Sequence, residues 1–353
     1  MSGLFTYKGF SLSETPSLHG KVAVITGGQA GIGQEITAQL LRHGISKVYV
    51  LARRKQKFEE ARSVWAETQA LTPEELDRRT EFLQCDLSDI RDVKKVAGQL
   101  LSKLERLDIL INNAALALTP NYTRSAQGID AVFATNHVGH FVLTNILLPL
   151  LEITASSSAN PKATSTRIVT TTSSVHLGCQ AIDLPSLTSS TRPKSPATLD
   201  SLYRYARSKL ANILFTRQLA RRLEKKGVSN VYANCFFPGN IATEATDSWK
   251  DLFGAWGGGA IKGLLQLIGQ SETDAAATAM FLAASEEVER GPGLKGKYFI
   301  PIATEDKTSK VAEDGDLARN LWYWTDHKVE EVLGKGWETD GGGNTAEATD
   351  GST

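Results

Sequence analysis

Cysteine is scarce and unpatterned: the 353 residues hold three, Cys85, Cys179 and Cys235, with no CxxC pair and no Cys/His cluster. That excludes a disulfide scaffold and a zinc-knuckle site, and it reads as reduced thiols in a reducing compartment. An excess of one charge is also missing. Lys+Arg and Asp+Glu both number 39, so nothing electrostatic asks for nucleic acid or an anionic membrane. Uninterrupted apolar runs are short throughout, and the opening MSGLFTYKGFSLSETPSLHG contains none fit for a signal peptide or membrane anchor. The expectation is a cytoplasmic protein with no membrane anchor and no nucleic-acid partner. His137, His140 and His176 share no predicted face with acids, so they read as packing or surface histidines and no metal is expected.

What is present is alternation. Short apolar, β-branched runs at 21–25, 48–51, 82–85, 107–111, 167–171, 231–236 and 297–300 predict seven strands. Helical spacing predicts helices at 32–42, 55–70, 71–79, 90–104, 129–151 and 202–224. Continuous apolar strands alternating with helices imply α/β architecture, a single-domain doubly wound (Rossmann) parallel sheet with helices on both faces. The domain is expected over residues 19–337, after an N-terminal extension at 1–18. Residues 338–353 read as a disordered tail. Three stretches break the alternation: 154–166, 178–200 and 239–270. Loops that long inside a compact domain are usually functional or disordered.

Between the first strand and helix stands Thr26-Gly27-Gly28-Gln29-Ala30-Gly31-Ile32-Gly33. Glycines at GxxxGxG spacing let the backbone approach a pyrophosphate, whose charge then faces the free N–H groups of a helix start. At the end of the second strand an NAD-specific site would place an acid; this chain reads Leu51-Ala52-Arg53-Arg54. Arg53 is placed to pair with a 2′-phosphate, which favours NADP(H).

Tyr205-Ala206-Arg207-Ser208-Lys209 puts a phenol and an amine one helical turn apart on one face. A phenol needs help to exchange protons near neutrality, and a nearby ammonium is expected to lower its pKa. Upstream lie Thr172-Ser173-Ser174 and Asn112-Asn113-Ala114-Ala115 at strand ends, and Asn136-His137-Val138-Gly139 on the long helix.

In this order, with Asp86 and Pro238-Gly239, these residues resemble the short-chain dehydrogenase/reductase family over residues 19–302. Within it, RIVTTTSSVH, YARSKLANILFTRQLARRL, Gly296-Lys297-Tyr298-Phe299 and Leu321-Trp322 are most similar to the retinol-dehydrogenase-like branch. The resemblance implies Tyr205 as general acid/base, with Lys209 lowering its pKa and holding the nicotinamide ribose. It implies Ser174 at the substrate oxygen, although strand alternation lets either Ser173 or Ser174, and only one, face the site. Asn136 would support Lys209 through a water. Gly27, Gly31, Ile32 and Gly33 would border the pyrophosphate, Asp86 and Leu87 the adenine, Asn113 and Ala114 the adenosine side, and Pro238, Gly239 and Thr243 the nicotinamide. A small-molecule carbonyl or alcohol substrate follows, with a homodimer through the two long helices possible. NNAA stands where the family more often has NNAG. Trp249, Phe253, Trp256 and Leu264 in the substrate-covering segment suggest a bulky apolar substrate. The alternatives are a non-catalytic NADP(H)-binding regulator or scaffold, and an interaction protein.

Overall fold

The computed structural model describes residues 9–156, 165–189, 196–240, 270–290 and 294–339. Eight strands form one sheet: β1 (Val22–Thr26), β2 (Lys47–Ala52), β3 (Thr80–Gln84), β4 (Ile109–Asn112), β5 (Thr166–Thr171), β6 (Val231–Phe236), β7 (Tyr298–Ile300) and β8 (Thr304–Glu305). Their order is β3-β2-β1-β4-β5-β6-β7-β8. All neighbours are parallel except β8, which turns back against β7. The seven expected strands are all present; the two-residue β8 is too short to leave a sequence pattern. Strand order reverses between β1 and β4, and their carboxyl ends open the crevice where such sheets bind ligands.

The strands read as continuous apolar runs because both faces are covered. In β4, Ile109 and Ile111 point into one core with Ile25, Ile36 and Met280, while Leu110 points into the other with Phe141, Leu214 and Trp322. The main helices are α1 (Gly31–Arg42), α2 (Lys55–Gln69), α3 (Ile90–Lys103), α4 (Ala131–Ser156), α5 (Ala197–Lys225), α6 (Glu272–Ala284) and α7 (Gly315–Leu333). Pro73–Arg79 is a short capped helix. The expectation that every apolar run is too short or too broken to span a membrane needs correcting. Helix α4 is long and apolar enough by composition, but 78% of its most apolar window is buried inside the protein. It is a core helix.

Helices α6 and α7 were not expected from periodicity. Helix α6 is apolar nearly all round, with Ala275 through Ala284 buried, so no stripe marks it. Helix α7 begins at Asp314, whose carboxylate accepts from the N–H groups of Asp316 and Leu317, and stops at Gly334 with φ 86°. It lies along both long helices. The Trp322 ring stacks on Phe215 (5.6 Å, 17°) of α5 and meets Phe141 of α4 edge-on at 4.8 Å. Arg222 covers the same indole at 4.5 Å. On this side the two long helices are covered by α7. At the other end of the chain, Leu18 is fully buried and Phe10 packs edge-on against Phe281, so residues 10–18 are part of the domain. Residues 340–353 and 241–269, including Thr243, Trp249, Phe253, Trp256 and Leu264, lie outside the described residues.

Candidate active site

A cleft of about 340 Å³ runs across the carboxyl ends of β1, β2, β4 and β5, within the usual size range of small-molecule sites. At one end is the turn from β1 to α1. Gly27 and Gly31 take φ of 66° and 51°, the left-handed region that favours glycine. A Cβ on Gly33 would sit 2.2 Å from the Gly27 carbonyl oxygen and 2.6 Å from Asn113 Nδ2. Ala30 precedes α1 and no side chain caps it, so the first-turn N–H groups face the cleft. That cradle fits a pyrophosphate. Ile32, Arg53, Asp86, Leu87, Asn113, Ala114 and Pro238 line the same cleft. Arg53 is exposed at its mouth. The Asp86 carboxylate accepts from the N–H and Oγ of Ser88. Gly139 allows the Leu87 carbonyl to pack directly on α4, since a Cβ there would meet it at 2.2 Å. Gly239 borders Gln270 with φ 100°.

Residues outside the expected set hold this end together. Thr26 Oγ1 accepts from the N–H groups of Asn113 (2.9 Å) and Ala114 (3.0 Å) and lies 2.8 Å from His140 Nε2. His140 Nδ1 is 3.0 Å from the Asn136 carbonyl, which can only accept. The proton is therefore assigned to Nδ1, and Thr26 donates to Nε2. His140 joins the phosphate turn to the long helix and is no loose packing group.

Burial pushes His140 down to about 4, against the Asn136 carbonyl and with the charge on Lys209 adding to it; burial, then the neighbouring His140, push His137 down to about 3. The ordinary value is 6.5. Between these limits the unfolded chain binds protons that the native histidines refuse. Their contribution to stability is therefore full above pH 6.5 and lost as pH falls toward 4, at up to roughly 1.4 kcal/mol per pH unit for each histidine. Urea unfolding across this range is expected to show that fall, and His140→Gln should flatten it. An equally steep fall in the variant would contradict the assignment.

At the inner end, Tyr205 lines the cleft from α5. Lys209 Nζ lies 5.5 Å from the Tyr205 ring centroid and donates to the Thr171 carbonyl at 3.2 Å. Asn212 Nδ2 donates to that same carbonyl at 3.2 Å, and Thr172 Oγ1 donates to the Lys209 carbonyl at 2.9 Å. These contacts pin the helix to the end of β5. Burial pushes Tyr205 up to about 12, opposed by a hydrogen bond with the Ser173 side chain, and burial pulls Lys209 down to about 7. With burial the larger influence, the phenol is held in its protonated form at neutral pH.

The Ser173 side chain is the one that bears on the Tyr205 hydroxyl, a contact that leaves the expected place of Ser174 at the substrate oxygen untouched. Ser173 continues the strand (φ −159°, ψ 151°), whereas Ser174 opens a 3-10 turn, Ser174–Gly178. Asn136 makes direct side-chain contacts with Leu116 and Ser208. Its Oδ1 accepts from Leu116 N–H (2.7 Å), and its Nδ2 donates to the Leu116 carbonyl and to Ser208 Oγ, both at 3.0 Å. Ser208 in turn donates to the Tyr205 carbonyl at 2.8 Å. Asn136 is a positioning residue, reaching Tyr205 through Ser208. Thr26, Thr171 and Ser208 carried no sequence signal beyond adjacency to the motifs.

A glycine cradle, an exposed arginine after the second strand, and a Ser–Tyr–Lys group at the carboxyl edge of one parallel sheet define a nicotinamide-dependent oxidoreductase. Comparison with known proteins agrees. Residues 21–180 match the short chain dehydrogenase family model. The chain is 37% identical over 320 residues to the short chain dehydrogenase/reductase dpchH of Colletotrichum higginsianum, covering 89% of this chain and 76% of that one. It is 34% identical to retinol dehydrogenase 14 of Mus musculus, covering 86% and 84%. The Pseudomonas aeruginosa RhlG/NADP active-site complex superimposes with a TM-score of 0.56 at 25% identity, covering 80% and 95%. The chain belongs to the short-chain dehydrogenase/reductase family, in its retinol-dehydrogenase-like branch.

Proposed function

We propose that this protein is an NADP(H)-dependent oxidoreductase interconverting a ketone or aldehyde with its alcohol. The observation that carries the reading is the convergence of Tyr205 and Lys209, with the Ser173 side chain on Tyr205, at the inner end of a cleft whose outer end bears Arg53 and the glycine cradle. The nicotinamide, when bound, supplies or receives the hydride. Ser173 holds the hydroxyl of Tyr205, and Tyr205 gives its proton to the carbonyl oxygen during reduction and takes it back during oxidation. Lys209, anchored on Thr171, is placed for the ribose and for re-protonating Tyr205. The substrate reading is bulky and apolar. Leu177, Leu199, Leu202 and Tyr203 are exposed on the segments that carry Ser173 and Tyr205, and the likeness to a retinol dehydrogenase supports an apolar alcohol or carbonyl. Three buried free thiols support a reducing, cytoplasmic setting.

Fluorescence titration with NADPH and NADH, followed by turnover of a panel of bulky ketones and aldehydes, tests the reading. Tight NADPH binding with turnover is expected. Binding with no turnover of any panel member would favour a non-catalytic regulator. Arg53→Ala is expected to weaken NADPH by about ten- to a hundredfold, the range for losing a charge-assisted contact to phosphate, with NADH changed little. Equal loss for both cofactors would remove Arg53 from the 2′-phosphate.

A further inference from the structure

Two arginines flank Tyr205 on α5, and neither touches the cleft. Arg204 and Arg207 are almost fully buried, as are Asp130 and Asp200 beside them. The Arg204 Nε donates to Asp200 at 2.9 Å, and its two terminal nitrogens donate to Thr119, one to Oγ1 at 3.0 Å and one to the carbonyl at 2.6 Å. Arg207 donates to Ser186 Oγ at 2.8 Å and to Asp130 Oδ2 at 3.4 Å. Thr119 belongs to the loop between β4 and α4, just after the cleft-lining stretch that ends at Ala117. Ser186 belongs to the excursion between β5 and α5, just after the turn that begins at Ser174.

The two loops are also tied directly to each other. Asp130 N–H donates to the Leu187 carbonyl at 2.8 Å, and the Tyr122 hydroxyl donates to the Ser189 carbonyl at 2.7 Å. Tyr203, one residue before Arg204, donates to the Ala181 carbonyl at 3.2 Å. Spacing explains why the helix can do this. Residues 204 and 207 are three apart and share one face, while Tyr205 and Lys209 are four apart and present another.

Four buried charges are a poor way to gain stability, because desolvation offsets much of their attraction and apolar replacements are often as stable. What such a cluster supplies is geometry: each donor direction fixes one acceptor. We propose that Arg204 and Arg207 are positioning residues that clamp both substrate-side loops to the helix bearing Tyr205, and so set which substrates fit beside it. This gives the 178–189 part of the excursion a role as a braced wall. The inference rests on the site being a carbonyl/alcohol site, but the clamp itself can be read without turnover.

The test is amide hydrogen exchange of the full chain, followed by kinetics on one bulky ketone. Arg207→Lys and Ser186→Ala are the principal variants, with Thr119→Val for the Arg204 arm, since truncating a buried arginine outright risks unfolding. Protection of residues 181–189 is expected to fall at least about tenfold in the first two variants, and that of 118–122 in the third, with NADPH affinity within about twofold. KM is expected to rise about five- to tenfold with kcat within about threefold, the pattern of lost substrate positioning. Unchanged protection of the loops would overturn the clamp. Lost protection with unchanged KM, or with kcat and NADPH affinity falling together, would overturn its role beside Tyr205. If the wild-type protein reduces no ketone, the reaction reading fails, and the exchange data alone decide whether the clamp exists.

Discussion

Tyr205→Phe is expected to lower turnover by about 10²–10⁴-fold, the usual contribution of a positioned proton donor, while NADPH affinity stays within about twofold. The substitution removes one oxygen and leaves the ring, so packing against α5 is kept. Lys209 is held by Thr171 and Asn212 by Thr171, both without help from the phenol. Burial raises the phenol's pKa against the hydrogen bond with Ser173, so the group is protonated where a carbonyl oxygen needs a proton. Single-turnover absorbance at the nicotinamide band measures the chemical step directly. A variant with near-native turnover would end the proton-donor assignment, and a variant that lost NADPH binding as well would show a structural role instead.

Trp322→Ala is expected to cost about 3–5 kcal/mol of stability, the usual price of emptying a buried large aromatic. The indole is 5% exposed and touches both long helices as well as Arg222. Phe141 and Phe215 are themselves close-packed at 5.7 Å, so the cavity has little freedom to collapse. Urea unfolding gives the number. A loss under about 1 kcal/mol would mean that α7 is an appendage instead of part of the core.

Much of the fold was legible because its signals are local. Seven strands announced themselves as β-branched runs, and the glycine turn and YxxxK carry their geometry in their spacing. What escaped is what depends on distant partners. Helix α6 is apolar on every side, so its period is invisible. Ser173 keeps extended backbone while Ser174 opens a 3-10 turn, a boundary of one residue that no pattern marks. The pKa of Tyr205 turned on burial, which a sequence does not display. The work of Asn136 on Leu116 and of His140 on Thr26 joins segments far apart in the chain, and neither side chain names its acceptor in advance.

Helix α7 has a consequence for how the molecule is made. The catalytic helix is synthesised well before the segment that seals it: Tyr205 and Lys209 leave the ribosome ahead of Leu321, Trp322 and Val329, whose side chains close the outer face of α4 and α5. Until those last turns emerge, Phe141 and Phe215 face water and the helix bearing the proton donor lacks one wall. The nascent chain therefore carries its chemistry in an unfinished frame until α7 has been made.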